Sequence, residues 1–200
     1  DDGERQPITA APLLTRHPSG LGYIVTFGTG RYLTTPDKSD SSFQSLYGIW
    51  DRNTAGQNIN TSPTANRSRS NLQVQTFTET SFDGRTTYSL SQNAVSWYDN
   101  DNNVNEWGWY LDFPKEGERL IYNMRMLVNT QLLTTMTPTE DPCEAGLTGT
   151  AYGINSTTGG ATLYATFDLD GDGEYDPNIS GFVFAGGDFS ISNSRIFVND

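Results

Sequence analysis

The sequence contains one cysteine, Cys143, and one histidine, His17, in 200 residues. A single cysteine closes no disulfide within the chain, so no covalent staple holds the fold, and cysteine usage leaves the redox compartment open. Cys143 reads either as a small buried hydrophobe or as half of a pair with a cysteine outside the chain. One histidine excludes a zinc centre built on two, and no Gly-x-Ser-x-Gly elbow surrounds any serine that His17 might serve. Long apolar runs are absent as well. No stretch of roughly 18 apolar residues occurs, so the sequence predicts no membrane-spanning helix. The start, Asp1-Asp2-Gly3-Glu4, lacks the basic and apolar regions of a signal peptide, so an export signal is expected to lie upstream or to be absent. Basic residues are scarce: 12 Lys and Arg face 24 Asp and Glu, a net charge of −12. That charge repels phosphate backbones and anionic membrane surfaces, and it argues against a nucleic-acid partner. Gly28-Thr29-Gly30-Arg31 lacks the Gly-Lys-Ser/Thr ending of a phosphate loop and reads as a turn.

What the chain does have is Gly, Ser, Thr, Asn and Asp in abundance, with apolar residues in short alternating runs. This pattern predicts strands and turns. Candidate strands cover 8–14, 21–28, 43–51, 71–79, 85–91, 106–113, 118–128, 131–137, 147–155, 161–167, 181–184 and 194–198. An all-β fold follows, a sandwich, barrel or propeller. Tyr47-Gly48-Ile49 recurs as Tyr152-Gly153-Ile154, two units of a little over 50 residues apart, which is a propeller-blade period. The blades would be four-stranded antiparallel sheets at about 8–51, 71–112, 118–157 and 161–198. The polar stretch 54–70 reads as a long exposed loop; its Asn66-Arg67-Ser68 and three similar triplets match the glycosylation acceptor by coincidence in so Asn-rich a chain.

One stretch carries nameable chemistry. Asp168-Leu-Asp-Gly-Asp-Gly-Glu-Tyr-Asp176 puts carboxylates at loop positions one, three, five and nine, a glycine at the sharp turn of position six, and Glu174 at position seven, which offers a backbone carbonyl. Asp168, Asp170, Asp172, Glu174 and Asp176 are therefore candidate ligands for Ca2+. Hard oxygen donors at alternating positions suit that ion, and without a countercharge aspartates about 4 Å apart repel by roughly 4 kcal/mol per pair near a surface. The bland reading is a solvated acidic turn. Position twelve, normally a bidentate Glu, is Ile179, and the flanks 161–167 and 181–184 read as strands, so the cation would sit in a loop between strands.

Other candidates are weaker. Alternation turns Trp107 and Trp109 to one face, for packing between blades or as a sugar-binding platform. Glu116 with Glu118, or Asp99 with Asp101, would suit a glycosidase, but such pairs arise by chance in an acidic chain. Asp99-Asn-Asp-Asn-Asn103 echoes the calcium spacing with Val104 at the turn position.

Several short strings occur together: Pro7-Ile-Thr-Ala-Ala-Pro12, Thr26-Phe-Gly-Thr-Gly-Arg-Tyr-Leu33, Ser45-Leu-Tyr-Gly-Ile-Trp-Asp51, Gly108-Trp-Tyr-Leu-Asp-Phe113, Gly117-Glu-Arg119, and Thr137-Pro138 followed by Asp141-Pro-Cys143. In this order they resemble the C-terminal β-propeller of the PilY family, the type IV pilus tip adhesin and assembly factor. The resemblance implies part of a modified seven-bladed, quinoprotein-like propeller with no enzymatic activity. It implies a place at the pilus tip on the bacterial surface, or in the periplasm or outer membrane, and roles in pilus assembly, retraction control, twitching motility and adhesion. Implied partners are minor pilins, the remainder of a longer chain, and a host or abiotic surface. By the same likeness Asp168, Asp170, Asp172 and Asp176 would bind calcium, although the loop falls after the shared motifs. The alternatives are a secreted carbohydrate-binding or structural β module, or a quinone-dependent dehydrogenase relative. The sequence leaves open the adhesion target and the partner of Cys143.

Overall fold

Strand β3, Ser45–Asp51, carries apolar side chains on both faces, Leu46 and Trp50 on one, Tyr47 and Ile49 on the other. A strand of that kind belongs inside a sheet covered on both sides. In the computed structural model, which describes residues 5–52, 68–138, 147–185, 189–191 and 196–198, β3 is the middle strand of the first sheet. The order is β1 (Leu13–Arg16), β2 (Tyr23–Gly28), β3, β7 (Gly108–Asp112) and β4 (Gln73–Gln75). The first four strands form an antiparallel core, and β4 joins its edge parallel to β7.

The second sheet is ordered β5 (Phe77–Phe82), β6 (Arg85–Leu90), β11 (Gly181–Ala185), β10 (Leu147–Asn155), β9 (Thr130–Pro138) and β8 (Arg125–Leu127). It too has an antiparallel core of four strands, β6-β11-β10-β9, flanked by β5 and β8. Strands β12 (Phe189–Ile191) and β13 (Ile196–Val198) pair with each other. No α-helix occurs among the described residues, only the 3-10 turns Thr35–Lys38 and Arg69–Asn71. The all-β expectation is met.

The strands group differently from the four expected intervals. Interval 71–112 divides between the sheets, because the chain leaves the first sheet at Gln75 and enters the second at Phe77 with only Thr76 between. Gln75 fixes that crossing: its amide donates to the carbonyls of Asn93 and Thr158 at 2.7 and 2.9 Å and accepts from Ser91 and Asn93 at 2.6 and 3.1 Å. Segment 161–167 is not a strand. The Thr162 hydroxyl bonds the Tyr164 carbonyl at 2.7 Å, closing a local turn in place of a ladder. Of 118–128, only Arg125–Leu127 forms a strand.

The main core lies between the two sheets. It joins Leu46, Trp109 and Leu111 of the first sheet to Tyr88, Leu133, Tyr152 and Ile154 of the second. The indole of Trp109, fully buried, lies between two glycines; a Cβ on Gly48 or on Gly159 would meet its ring atoms at under 3.0 Å. A second cluster, Ala151, Phe167, Leu169, Ile179 and Phe182, covers the other face of the second sheet. Both Tyr-Gly-Ile triplets lie on strands inside their sheets, and each glycine makes room for a side chain, Trp109 over Gly48 and Thr166 over Gly153. The outer face of the first sheet carries the cross-strand row Phe27, Tyr47, Tyr110 and Val74, the first three rings stacked at 5.4 and 6.2 Å. Arg69 lies over Tyr110 and Tyr47 at 4.7 and 5.3 Å and pairs with Asp112.

Candidate metal centre

The acidic loop hangs from the second core cluster. Phe167 and Leu169 on its way in, and Ile179 on its way out, are all buried there, and the Asp176 N–H donates to the Phe167 carbonyl at 2.7 Å. Ile179, at position twelve, thus closes the loop by apolar packing instead of by ligation. Within the loop, backbone N–H groups fix the carboxylates. Gly171 and Gly173 donate to the two oxygens of Asp168 at 2.8 and 3.2 Å, Asp172 to Asp170 at 3.2 Å, Glu174 to Asp172 at 2.8 Å, and Leu169 to Asp176 at 2.7 Å. Gly173, at position six, has φ +93°, a turn that only glycine makes without strain.

Asp168, Asp170 and Asp176 come together, with one carboxylate oxygen of each within 4.8 Å of the others. Oxygens bound to one calcium at about 2.3–2.6 Å lie no more than about 5 Å apart, so this spacing fits such an ion. Asp170 is exposed, Asp168 half-buried and Asp176 buried, which leaves the group open on one side. Asp172 and Glu174, candidates by spacing, are exposed and lie outside this trio. The segment before the loop is the irregular 161–167, so strand β11 flanks the loop on its exit alone.

The remaining candidates disperse. Asp99 uses its carboxylate to accept N–H bonds from Asp101 and Asn103 at 3.0 and 2.8 Å, a self-capped turn. Glu116 is exposed while Glu118 is fully buried, so they do not face one space as an acid and nucleophile must. Trp109 is core and Trp107 lies at 6.3 Å from Trp50, so these two indoles share no exposed platform. His17 is a packing residue: its ring stacks on Trp50 at 3.8 Å, and Nδ1 lies 2.7 Å from the Ser19 hydroxyl. Burial first, and the Arg52 charge second, lower its pKa to about 4. Cys143 and Asn66 lie outside the described residues, as does most of 54–70. Sequence reasoning met Glu118 only as half of a chance carboxylate pair and missed that it is buried beside Arg119; the Gly117-Glu-Arg119 string was the signal that joins the two.

Residues 1–90 match the family model described as the PilY1 beta-propeller domain. The crystal structure of the Pseudomonas aeruginosa PilY1 C-terminal domain aligns with a TM-score of 0.80 at 36% identity, covering 98% of this chain and 45% of that one. The chain belongs to the PilY1 family. PilY1 relatives extend the match. The type IV pilus biogenesis factor PilY1 of Pseudomonas aeruginosa (strain UCBPP-PA14) is 39% identical over 100% of this chain and 18% of its own length. A PilY1 homolog of Xylella fastidiosa (strain Temecula1) is 31% identical over 99% of this chain and 15% of its own. The chain therefore spans under a fifth of these PilY1 relatives, which are named as biogenesis factors and not as enzymes. A β-propeller domain accounts for the two antiparallel four-stranded cores.

Proposed function

We propose that the chain is the calcium-binding, C-terminal part of a PilY-type propeller in a type IV pilus biogenesis protein, acting without catalysis at the bacterial surface in pilus assembly, retraction control and adhesion. Its relatives' names support the pilus role. The observation that carries the metal reading is the convergence of Asp168, Asp170 and Asp176 to 4.8 Å on a loop whose backbone already orients them. Asp172 and the Glu174 carbonyl complete the ligand set. The ion supplies the countercharge that this cluster lacks, and its binding free energy becomes stability of the loop. Minor pilins and the rest of the longer polypeptide are the partners.

Calorimetry tests the first step. Calcium gives a binding isotherm and raises the melting temperature of the wild-type protein, and Asp170→Ala abolishes both. No calcium heat, or an unchanged calcium-dependent Tm in Asp170→Ala, refutes the metal role. In a bacterium carrying the full-length gene, the same substitution alters the number of surface pili; wild-type piliation and motility would refute the regulatory role.

A further inference from the structure

Between β7 and β8 the chain buries two ionisable side chains in succession, Glu118 and Arg119, 0% and 1% exposed. Their partners differ in kind. The Arg119 guanidinium donates to the carbonyls of Gly117, Arg31, Asp37 and Asp40, tying this segment to the turn region beside the first sheet. Glu118 reaches the second sheet. Its Oε1 lies 2.5 Å from the Thr135 hydroxyl of β9 and 2.7 Å from the Tyr152 hydroxyl of β10, and Oε2 has the Lys115 backbone N–H at 3.4 Å. None of these hydrogen-bond partners is a cation. The charged and titratable groups around the site are the Lys115 side chain on its own segment, Tyr152 on β10 and Tyr88 on β6, with Glu79 of β5 acting on Tyr88 from beyond.

The hydrogen-bond pattern accommodates a neutral acid, and burial decides for it. Thr135 owns a single hydroxyl proton but faces two acceptors, Glu118 Oε1 at 2.5 Å and the Thr150 carbonyl at 3.3 Å. An ionised Glu118 takes that proton and leaves Thr150 without it. A protonated Glu118 donates to Thr135, Thr135 donates to Thr150, and Tyr152 donates to Glu118, so every proton has an acceptor. A fully buried carboxylate with two hydroxyls, one long N–H contact and no hydrogen-bonded cation recovers too little of its lost hydration, so the acid is the less costly form.

We propose that Glu118 is a proton-binding site, an uncharged carboxylic acid in the folded protein at neutral pH, whose ionisation loosens the junction between the two sheets. Burial, the largest influence on this carboxyl, raises its pKa and agrees with that assignment. Because the folded state holds a proton that the unfolded chain releases, stability falls as pH rises toward the folded pKa. Each pH unit in that window costs up to tenfold in the folding equilibrium.

Infrared spectroscopy of the wild-type protein in calcium at pH 7 tests the assignment. Exposed carboxyls are ionised there, so a protonated-carboxyl carbonyl band is expected from Glu118, lost in Glu118→Gln and moved in Thr135→Val, which deletes its hydrogen-bond partner. Absence of the band from the folded wild type overturns the proposal whatever the variants do. Urea unfolding between about pH 7 and 9, above the titration of His17, gives the second readout. Wild-type stability declines across that range and Glu118→Gln stays level; equal slopes overturn the proposal.

Discussion

Replacing Gly48 by Ala places a methyl group against a ring with no room to withdraw. The new Cβ would lie under 3.0 Å from Cε2, Cζ2 and Nε1 of Trp109, while Cε3, Cδ2 and Cζ3 of the same indole approach Gly159 as closely. Neither neighbour is a flexible side-chain end, since β3 is paired on both sides and Trp109 is fully buried. Overpacking in yielding cores costs about 1–3 kcal/mol, so this rigid site should cost about 3 kcal/mol or more. In a domain of this size that lowers Tm by about 6–12 °C. A double-mutant cycle isolates the cause. Trp109→Phe alone loses apolar contact and costs about 2 kcal/mol. Gly48→Ala made in that background meets a smaller ring and costs less than it does in the wild type, a coupling of at least about 1 kcal/mol. Urea denaturation followed by circular dichroism measures all four proteins. A Gly48→Ala variant as stable as the wild type, or strictly additive effects, would refute the account of how Trp109 is housed.

Three further outcomes follow from single residues. His17, held at a pKa of about 4 against an ordinary 6.5, binds fewer protons folded than unfolded. Its contribution is complete above pH 6.5 and is lost as pH falls toward 4, by up to about 3 kcal/mol, and His17→Phe should flatten that part of a pH–stability curve. Arg119→Lys keeps a charge but not the planar fork that reaches four backbone carbonyls, and should lower stability by about 3 kcal/mol with no rescue over Arg119→Met. Val128 sits at φ 55° in the β8–β9 turn with 84% of its surface exposed. That region penalises β-branched residues, so Val128→Asn should stabilise the fold by about 1 kcal/mol in thermal unfolding.

The strand over 147–155 was legible to the residue, and β9 and β11 nearly so, because alternation and β-branched residues agree there with the tertiary pairing. The convergence of Asp168, Asp170 and Asp176 was legible because it is local: the spacing of these carboxylates is written in nearby residues. Segment 161–167 has the same alternation as a strand, yet Leu163 and Tyr164 are both 81% exposed; Thr162 offers the backbone a nearer partner than any neighbouring strand. The crossing at Thr76 was hidden because one continuous strand-like run serves two sheets, and only Gln75's bonds to distant carbonyls decide where it changes. Glu118 and Arg119 were hidden for a different reason. Charged residues are ordinarily surface residues, and what permits their burial is assembled from the 31–40 turn region, the 115–117 segment, β9 and β10.

The same Thr76 crossing bears on mechanical load. A tug on the polypeptide at one sheet reaches the other through covalent bonds, without an intervening slack loop to absorb the extension. At that point the two layers are coupled by the main chain itself, so a displacement of Gln75 is passed directly to Phe77.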